Sequence, residues 1–220
     1  MEKKSSNKLN HFTQLPRILT WLEKESLILA DPEKWEDQND VEMIKEYKTV
    51  KGIKKLFAIC FCNDAETIHH WKAYAKGPLG CCVEFDQEKL LKAIDKVSEI
   101  RKKSVQYKEI AKINSTKIKA GNLPFIKRWP YRFEQEFRVI WEGETDRDIM
   151  EIKIPRNVIV KITLSPKLDD RLFKTIKEKL KKKPYYIPLK KINLSTVYKN
   201  DEWIGAFRKI ADSHAKVGKQ

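Results

Sequence analysis

The sequence predicts an α+β fold in a single domain, and three observations carry that expectation. Strand-like and helix-like segments are intermixed along the chain, without the regular strand–helix–strand alternation of a parallel sheet. Lys55 to Phe61 is apolar on both faces, as a central strand covered on both sides would be. Gln135 to Glu142 alternates instead: Phe137, Val139 and Trp141 take one face, and Glu136, Arg138, Ile140 and Glu142 take the other.

The elements follow in order. Residues 1–9 are polar and read as a flexible leader, with the single domain spanning 10–212 and a flexible tail from 213 to 220. After Pro16, the spacing of Ile18, Leu19 and Leu22 predicts an amphipathic helix to Glu25. Leu27 to Ala30 is a short strand. Asp31-Pro32 supplies an N-cap with proline at the first helical position, and Asp40 to Lys48 is a further charged helix. Asn63-Asp64 can cap a helix over 65–75, on which Trp71 and Tyr74, three apart, share a face, as do His70 and Tyr74, four apart. Gly77-Pro78 ends it, and Gly80 to Phe85 returns as a strand. Residues 87–120 are Lys-rich and read as mostly helical. Ile149 to Ile154 and Val158 to Leu164 are strands, and Asp169-Asp170 opens a basic helix to Lys183. Tyr185 to Leu189 and Ile192 to Tyr198 read as late strands.

With 220 residues, 41% of them hydrophobic and 10% aromatic, the chain can bury one substantial core. No apolar run is long enough to span a bilayer, and no apolar stretch follows the basic N-terminus to make a secretory signal. The four cysteines stand as Cys60-x-Cys62 and Cys81-Cys82 inside apolar strands, without a Cys-x-x-Cys knuckle. Cys60, Cys62 and His69 or His70 could hold a metal only without that knuckle, so the cysteines read as reduced core residues of a cytoplasmic protein.

Charge is unevenly spread. Residues 1–86 hold 13 Lys and Arg against 14 Asp and Glu, whereas residues 87–220 hold 33 against 17. The net charge of +15 therefore lies wholly in the second part, where it favours contact with phosphates of a nucleic acid or nucleotide. A solvated lysine-rich surface is the plainer reading of the same residues. The glycine patterns of Rossmann and P-loop sites are absent, as is the Gly-x-Ser-x-Gly elbow of a serine hydrolase.

Several ordered blocks carry a resemblance: His11-Phe12-Thr13; Ala30-Asp31-Pro32 with Trp35 and Asp37; Cys60-Phe61-Cys62; and Trp71 with Tyr74-Ala75. Gly80, Cys82 and Glu84-Phe85-Asp86 follow, then Trp129, Tyr131, Glu134, Glu136, Phe137 and Arg138. Together, over positions 9 to 142, they resemble the bacterial domain-of-unknown-function family numbered 2971. Phe12 replaces a usual tyrosine, and Lys72-Ala73 replaces Ser-His before Tyr74, with His69 or His70 a turn earlier as a stand-in.

That family is similar to the ADP-ribosyltransferase-like superfamily, which implies a pair of small, mostly antiparallel sheets flanked by helices, with NAD as substrate in a cleft. The resemblance implies His11, Tyr74 and Glu136 as catalytic, and His11, Thr13, Trp71, Tyr74 and Arg138 around NAD. Glu136 would stabilise the positive charge that develops on ribose as nicotinamide leaves. The plainer readings are a structural His11, a core Trp71 and a structural Glu136–Arg138 pair on an exposed sheet face. Glu134 joins that face only if no bulge intervenes. The implied function is transfer of ADP-ribose to a nucleic-acid or protein acceptor, or hydrolysis of NAD, in a toxin or phage-defence setting. The competing expectation is a non-catalytic nucleic-acid-binding module or defence sensor on the same scaffold, contacting its partner through residues 87–220.

Overall fold

The apolar strand expected to be central is the hub of the molecule. A computed structural model describes residues 7–63, 66–113 and 118–217. The chain opens with β1 (Lys8–Gln14), α1 (Leu15–Lys24), β2 (Ser26–Ala30), α2 (Gln38–Lys51), β3 (Lys55–Cys62) and α3 (Ile68–Ala73). It continues through β4 (Gly80–Asp86), α4 (Gln87–Ile94), β5 (Ile100–Ser104), β6 (Gln106–Lys108), α5 (Ile110–Ile113) and β7 (Ile126–Arg128). It closes with β8 (Glu136–Gly143), β9 (Ile149–Lys153), β10 (Ile159–Leu164), α6 (Asp170–Lys181), β11 (Ile192–Leu194) and α7 (Asp201–Val217).

The architecture is mixed α+β, with a nine-stranded, mostly antiparallel open sheet among the described residues. β3 pairs along its whole length with β8, from Lys55 opposite Gly143 to Cys62 opposite Glu136. Its other edge meets β1 at Asn10–Cys62 and β2 at Ala30–Ala58. Three ladders therefore converge on one strand: β11-β10-β4-β1, β5-β8-β3 and β2-β9. Only β10–β11 among these runs parallel, and β6 and β7 make a separate parallel pair.

Every face of β3 is consequently covered, which is why its sequence lacks alternation. Phe57, Ile59 and Phe61 enter the main apolar cluster with Leu9, Val83, Val139 and Trp141, closed over by Ile18, Trp21 and Leu22 of α1, Leu90 and Ile94 of α4 and Leu180 of α6. On the opposite face Leu56 and Ala58 pack with Ile140 against Ile44 and Tyr47 of α2, and Cys62 and Cys82 pack with Phe12 against Trp71 of α3. Cys81 and Cys82 thus serve different faces, and all four cysteines are free thiols.

Several expectations are corrected. β1 begins at Lys8 with Leu9 fully buried, inside the expected leader. The helix after Asp31-Pro32 is only a 3-10 turn over Pro32–Lys34, with the Asp31 side chain accepting from the Glu33 N–H. Of the expected Asn63-Asp64 cap, Asp64 lies outside the described residues. The helix itself starts at Ile68 behind a Thr67 cap and ends at Ala73, so Tyr74 is its C-cap and does not share a helical face with Trp71. Within the supposedly helical 87–120, Ile100–Ser104 is instead a Lys-rich edge strand on β8, a position where outward lysines discourage further strand pairing.

Two late strands shrink for want of partners: Tyr185 to Leu189 is not a strand, and only Ile192–Leu194 pairs, with β10. The chain beyond Ser213 continues α7 to Val217, and Trp203, Phe207 and Ile210 of that helix stand exposed. Among the described residues no helix is long and apolar enough to cross a membrane.

Gly80 marks the tightest backbone approach beside the site described next. A Cβ built there would lie 2.0 Å from the Ala75 carbonyl oxygen, so β4 can pass the end of the α3 segment only as glycine. Gly80→Ala is expected to lower stability by about 1–3 kcal/mol, read as a fall in the thermal midpoint. An unchanged midpoint would contradict this packing.

Candidate functional site

The polar face of β8 carries the chemistry. Its alternation places Glu136 and Arg138 on one side of the strand, two residues apart, and both are buried: Arg138 is 0% exposed and Glu136 4%. The expected exposed sheet face is thus corrected, because α2, Trp35 and the 3-10 segment Ala120–Phe125 close over it. Arg138 Nε donates to Glu136 Oε1 at 2.6 Å and its Nη2 to Oε2 at 3.0 Å, a bidentate pairing within one strand. Nη2 also donates to Asp40 Oδ2 at 2.9 Å and Nη1 to the Pro124 carbonyl at 2.9 Å, while the Trp35 ring lies 4.8 Å from the guanidinium carbon.

A second cation extends the cluster. Lys127 Nζ donates to Glu134 Oε2 at 2.6 Å and to Glu136 Oε2 at 3.4 Å, and stands 3.7 Å from Asp40. Its ammonium lies 4.7 Å from the centre of the Tyr131 ring. Glu134 reaches this point although the strand starts only at Glu136. Gln135, in left-handed conformation at φ 43°, ends the 3-10 segment Trp129–Glu134 and turns the chain back toward the cluster. Three carboxylates, Asp40, Glu134 and Glu136, therefore meet two cations in a nearly water-free volume.

Hydroxyls and one imidazole line the approach. The Tyr74 hydroxyl donates to Glu134 Oε1, and His69 Nε2 stands 3.7 Å from the same oxygen. Tyr107 accepts from the Glu136 backbone N–H at 2.8 Å, and the Cys60 thiol hydrogen-bonds the Glu136 carboxylate. Beside Tyr107 a groove of about 450 Å³ opens between the β5–β6 turn and the Trp129–Glu134 segment.

Burial and neighbouring charge oppose one another in this cluster. Burial would push the Glu136 carboxyl up, but Arg138 and Lys127 hold it down at about 2. Burial pushes Asp40 up against the same two cations. Burial and Glu134 push the Tyr74 hydroxyl far up, so it stays a donor. Burial would lower Lys127, yet Glu136, Asp40 and Glu134 raise it.

Of the residues the sequence pointed to, Tyr74, Glu136 and Arg138 come together. His11 does not join them. Its ring packs 5.1 Å from Trp21 and 5.7 Å from Phe61, on the face of the sheet opposite Glu136, and its Nδ1 bonds the Cys60 carbonyl at 2.7 Å. Thr13 is buried two residues on along the same side of β1, opposite Cys81. Trp71 is a core residue, 3% exposed, with its indole N–H on Glu66 at 2.9 Å. Of the two stand-in histidines, His70 stacks on Phe12 in the interior and His69 is the one near Glu134. No sequence motif marks Lys127, whose signal is a faint one, a lone charge between Phe125-Ile126 and Arg128. Asp40 reads as an ordinary first-turn acid, one of several carboxylates too scattered along the sequence to suggest a site.

No group of His, Cys, Asp and Glu side chains among the described residues is arranged to hold a metal. No protein-family model matches the chain, and no curated protein matches it.

Two tests follow from the geometry. Arg138→Leu leaves Glu136 and Asp40 buried with Lys127 alone to neutralise them and is expected to cost about 3–5 kcal/mol, whereas Arg138→Leu with Glu136→Leu should regain much of that loss in denaturant titrations. A double variant no more stable than the single one would show that the pair is not the dominant interaction. For His11, burial lowers the pKa from 6.5 to about 4. The unfolded chain takes up a proton below 6.5 and the folded chain does not until about 4, so stability must fall as pH drops through that window. His11→Gln should flatten the decline in midpoint between those pH values. An identical decline in the variant would assign it to other groups.

Proposed function

We propose that this chain is an NAD-handling protein of the ADP-ribosyltransferase-like kind, which takes the nicotinamide end of NAD at the Tyr74–Glu134–Glu136 cluster. It transfers ADP-ribose to a nucleic-acid or protein acceptor, or hydrolyses NAD. The observation that carries this reading is a cluster of three carboxylates against two cations, with Glu136 held ionised, beside a Tyr74 hydroxyl that remains protonated.

Such a site suits one kind of glycosidic bond. An O-glycoside needs a carboxylic acid to protonate its leaving oxygen, and Glu136, held at about 2, cannot be that acid near neutrality. Nicotinamide needs no such help. The bond between ribose C1′ and the ring nitrogen breaks with its electron pair going to the already cationic ring, which leaves neutral. Positive charge then develops on the ribose, where fixed carboxylate charge stabilises it. Water or an acceptor hydroxyl adds to C1′ and releases a proton to solvent. In this reading Tyr74 and His69 border the ribose and His11 takes no part, so the ribose-holding role that the family resemblance gives to His11 passes to residues on the other face.

A second reading has its own support. The complete burial of Glu136 and Arg138 suits a structural pair, and with the basic second part of the chain it favours a non-catalytic nucleic-acid-binding module or defence sensor.

Nicotinamide release from NAD, measured with and without RNA, separates the two. Glu134→Gln, which can keep the Tyr74 contact while losing the charge, is expected to slow turnover about a hundredfold or more with the fold retained by circular dichroism. Wild-type protein that neither binds nor consumes NAD would sink the enzyme reading and leave the module.

A further inference from the structure

The groove beside Tyr107 carries an aromatic and cationic wall that the buried cluster does not use. Phe133, which lines the groove, is 65% exposed although Glu134 beside it is buried, and Trp129 on the same 3-10 segment is 44% exposed. The Arg132 guanidinium lies 4.1 Å from the centre of the Phe133 ring and 4.9 Å from that of Trp129, and its Nη1 donates to the Trp129 carbonyl at 3.4 Å. Pro130, near the start of the 3-10 segment, and Gln135, in left-handed conformation at its end, fix this presentation. A non-glycine residue held at positive φ is a local strain that surrounding structure must stabilise, and here it orients a surface element.

Polar groups also line the groove. Asn63, Ser104 and Gln135 offer amide and hydroxyl groups, and Tyr107 contributes a phenol. The volume of about 450 Å³ admits one or two planar groups and excludes a duplex. Lys108 follows Tyr107 in the chain and pairs across β6–β7 with exposed Arg128, which itself precedes Trp129. Two cations therefore stand next in the chain to Tyr107 of the groove and to Trp129 of the segment that carries Phe133.

We propose that this groove binds single-stranded nucleic acid, with an unpaired base stacked on Phe133 beside Arg132 and the strand's phosphates running past Lys108 and Arg128. An exposed ring with a guanidinium against it is a stacking platform indifferent to base identity, and the amides lie where a base edge would be. The net positive charge of residues 87–220 supplies the long-range attraction. The proposal gives a place to the nucleic-acid partner of the preceding section and rests on that part of it alone, because no step requires NAD.

Fluorescence anisotropy of a labelled oligouridylate, in NAD-free buffer at low and moderate salt, tests it. Wild-type protein should bind the strand in preference to a duplex, with affinity falling steeply as salt rises. Phe133→Ala should weaken binding about tenfold and Arg132→Ala by a similar factor. Trp203→Ala, an equally exposed aromatic on α7, should leave binding unchanged. Because Phe133 and Arg132 stand at the surface, the thermal midpoint should stay constant across all three variants. Absence of wild-type binding, equal binding by Phe133→Ala, or preference for duplex overturns the proposal. Competition by adenosine monophosphate at the oligonucleotide's own concentration also overturns it, in favour of a mononucleotide site. Failure of NAD turnover leaves these outcomes unaffected.

Discussion

Burying Arg138 constrains nearly everything built on the polar face of the sheet. A guanidinium removed from water loses several kcal/mol of hydration unless its donors are met by good acceptors at close range. β8 provides one carboxylate itself, Glu136, two residues away on the same face. The remaining partners come from afar: Asp40 from the first turn of α2, 98 residues distant, and the Pro124 carbonyl from the segment before β7. Those contacts dock α2 and the 118–128 stretch onto a sheet face that is otherwise only partly apolar. The two carboxylates then need further positive charge, and Lys127, arriving with β7, supplies it while drawing in Glu134.

The sheet thereby separates two kinds of interior. One face is closed by α1, α4 and α6 over Leu9, Phe57, Val83 and Val139, and the buried Asp, Glu, Lys and Arg side chains among the described residues gather on the other. His11 sits at the margin of this side and is held neutral by its surroundings. The other face is divided between two small apolar clusters and the ionic one between them. A continuous apolar layer there would be simpler to stabilise. Retention of five buried charges at that cost is what directs attention to function, since perturbed ionisation clusters where chemistry or recognition is performed.

The central strand, the alternation of β8, the capped helix α6 and the division of Cys81 from Cys82 were all legible in the sequence, because each depends on neighbours within a few residues. The same alternation correctly put Glu136 and Arg138 side by side. Their burial was not legible, since it depends on α2 and on Pro124, whose approach leaves no local trace. Lys-rich Ile100–Ser104 reads as helix by composition, and only its ladder with β8 makes it a strand. Trp71 and Tyr74 illustrate the limit of periodicity: their spacing suggests one helical face, but a helix that stops at Ala73 leaves Trp71 in the core and sends the Tyr74 hydroxyl to Glu134. His11 shows that a motif's residues can be adjacent in a pattern and still stand on opposite sides of a sheet.

The charge distribution links the two proposals physically. The chain is strongly basic, yet its most buried ionic cluster carries one carboxylate more than it has cations. A polyanion is drawn to such a surface and repelled from the cluster itself, so it settles in flanking grooves where lysine and arginine meet exposed rings. A ligand with an anionic diphosphate and a cationic ring meets complementary charge at both ends: phosphates toward the basic surface, ring toward the carboxylates. Long-range fields of this kind act on encounter and orientation before any close contact forms. If both proposed ligands are taken, the strand in the groove by Tyr107 and the dinucleotide at Tyr74 approach the same Glu134–Glu136 stretch from two sides, and β8 is the wall they share.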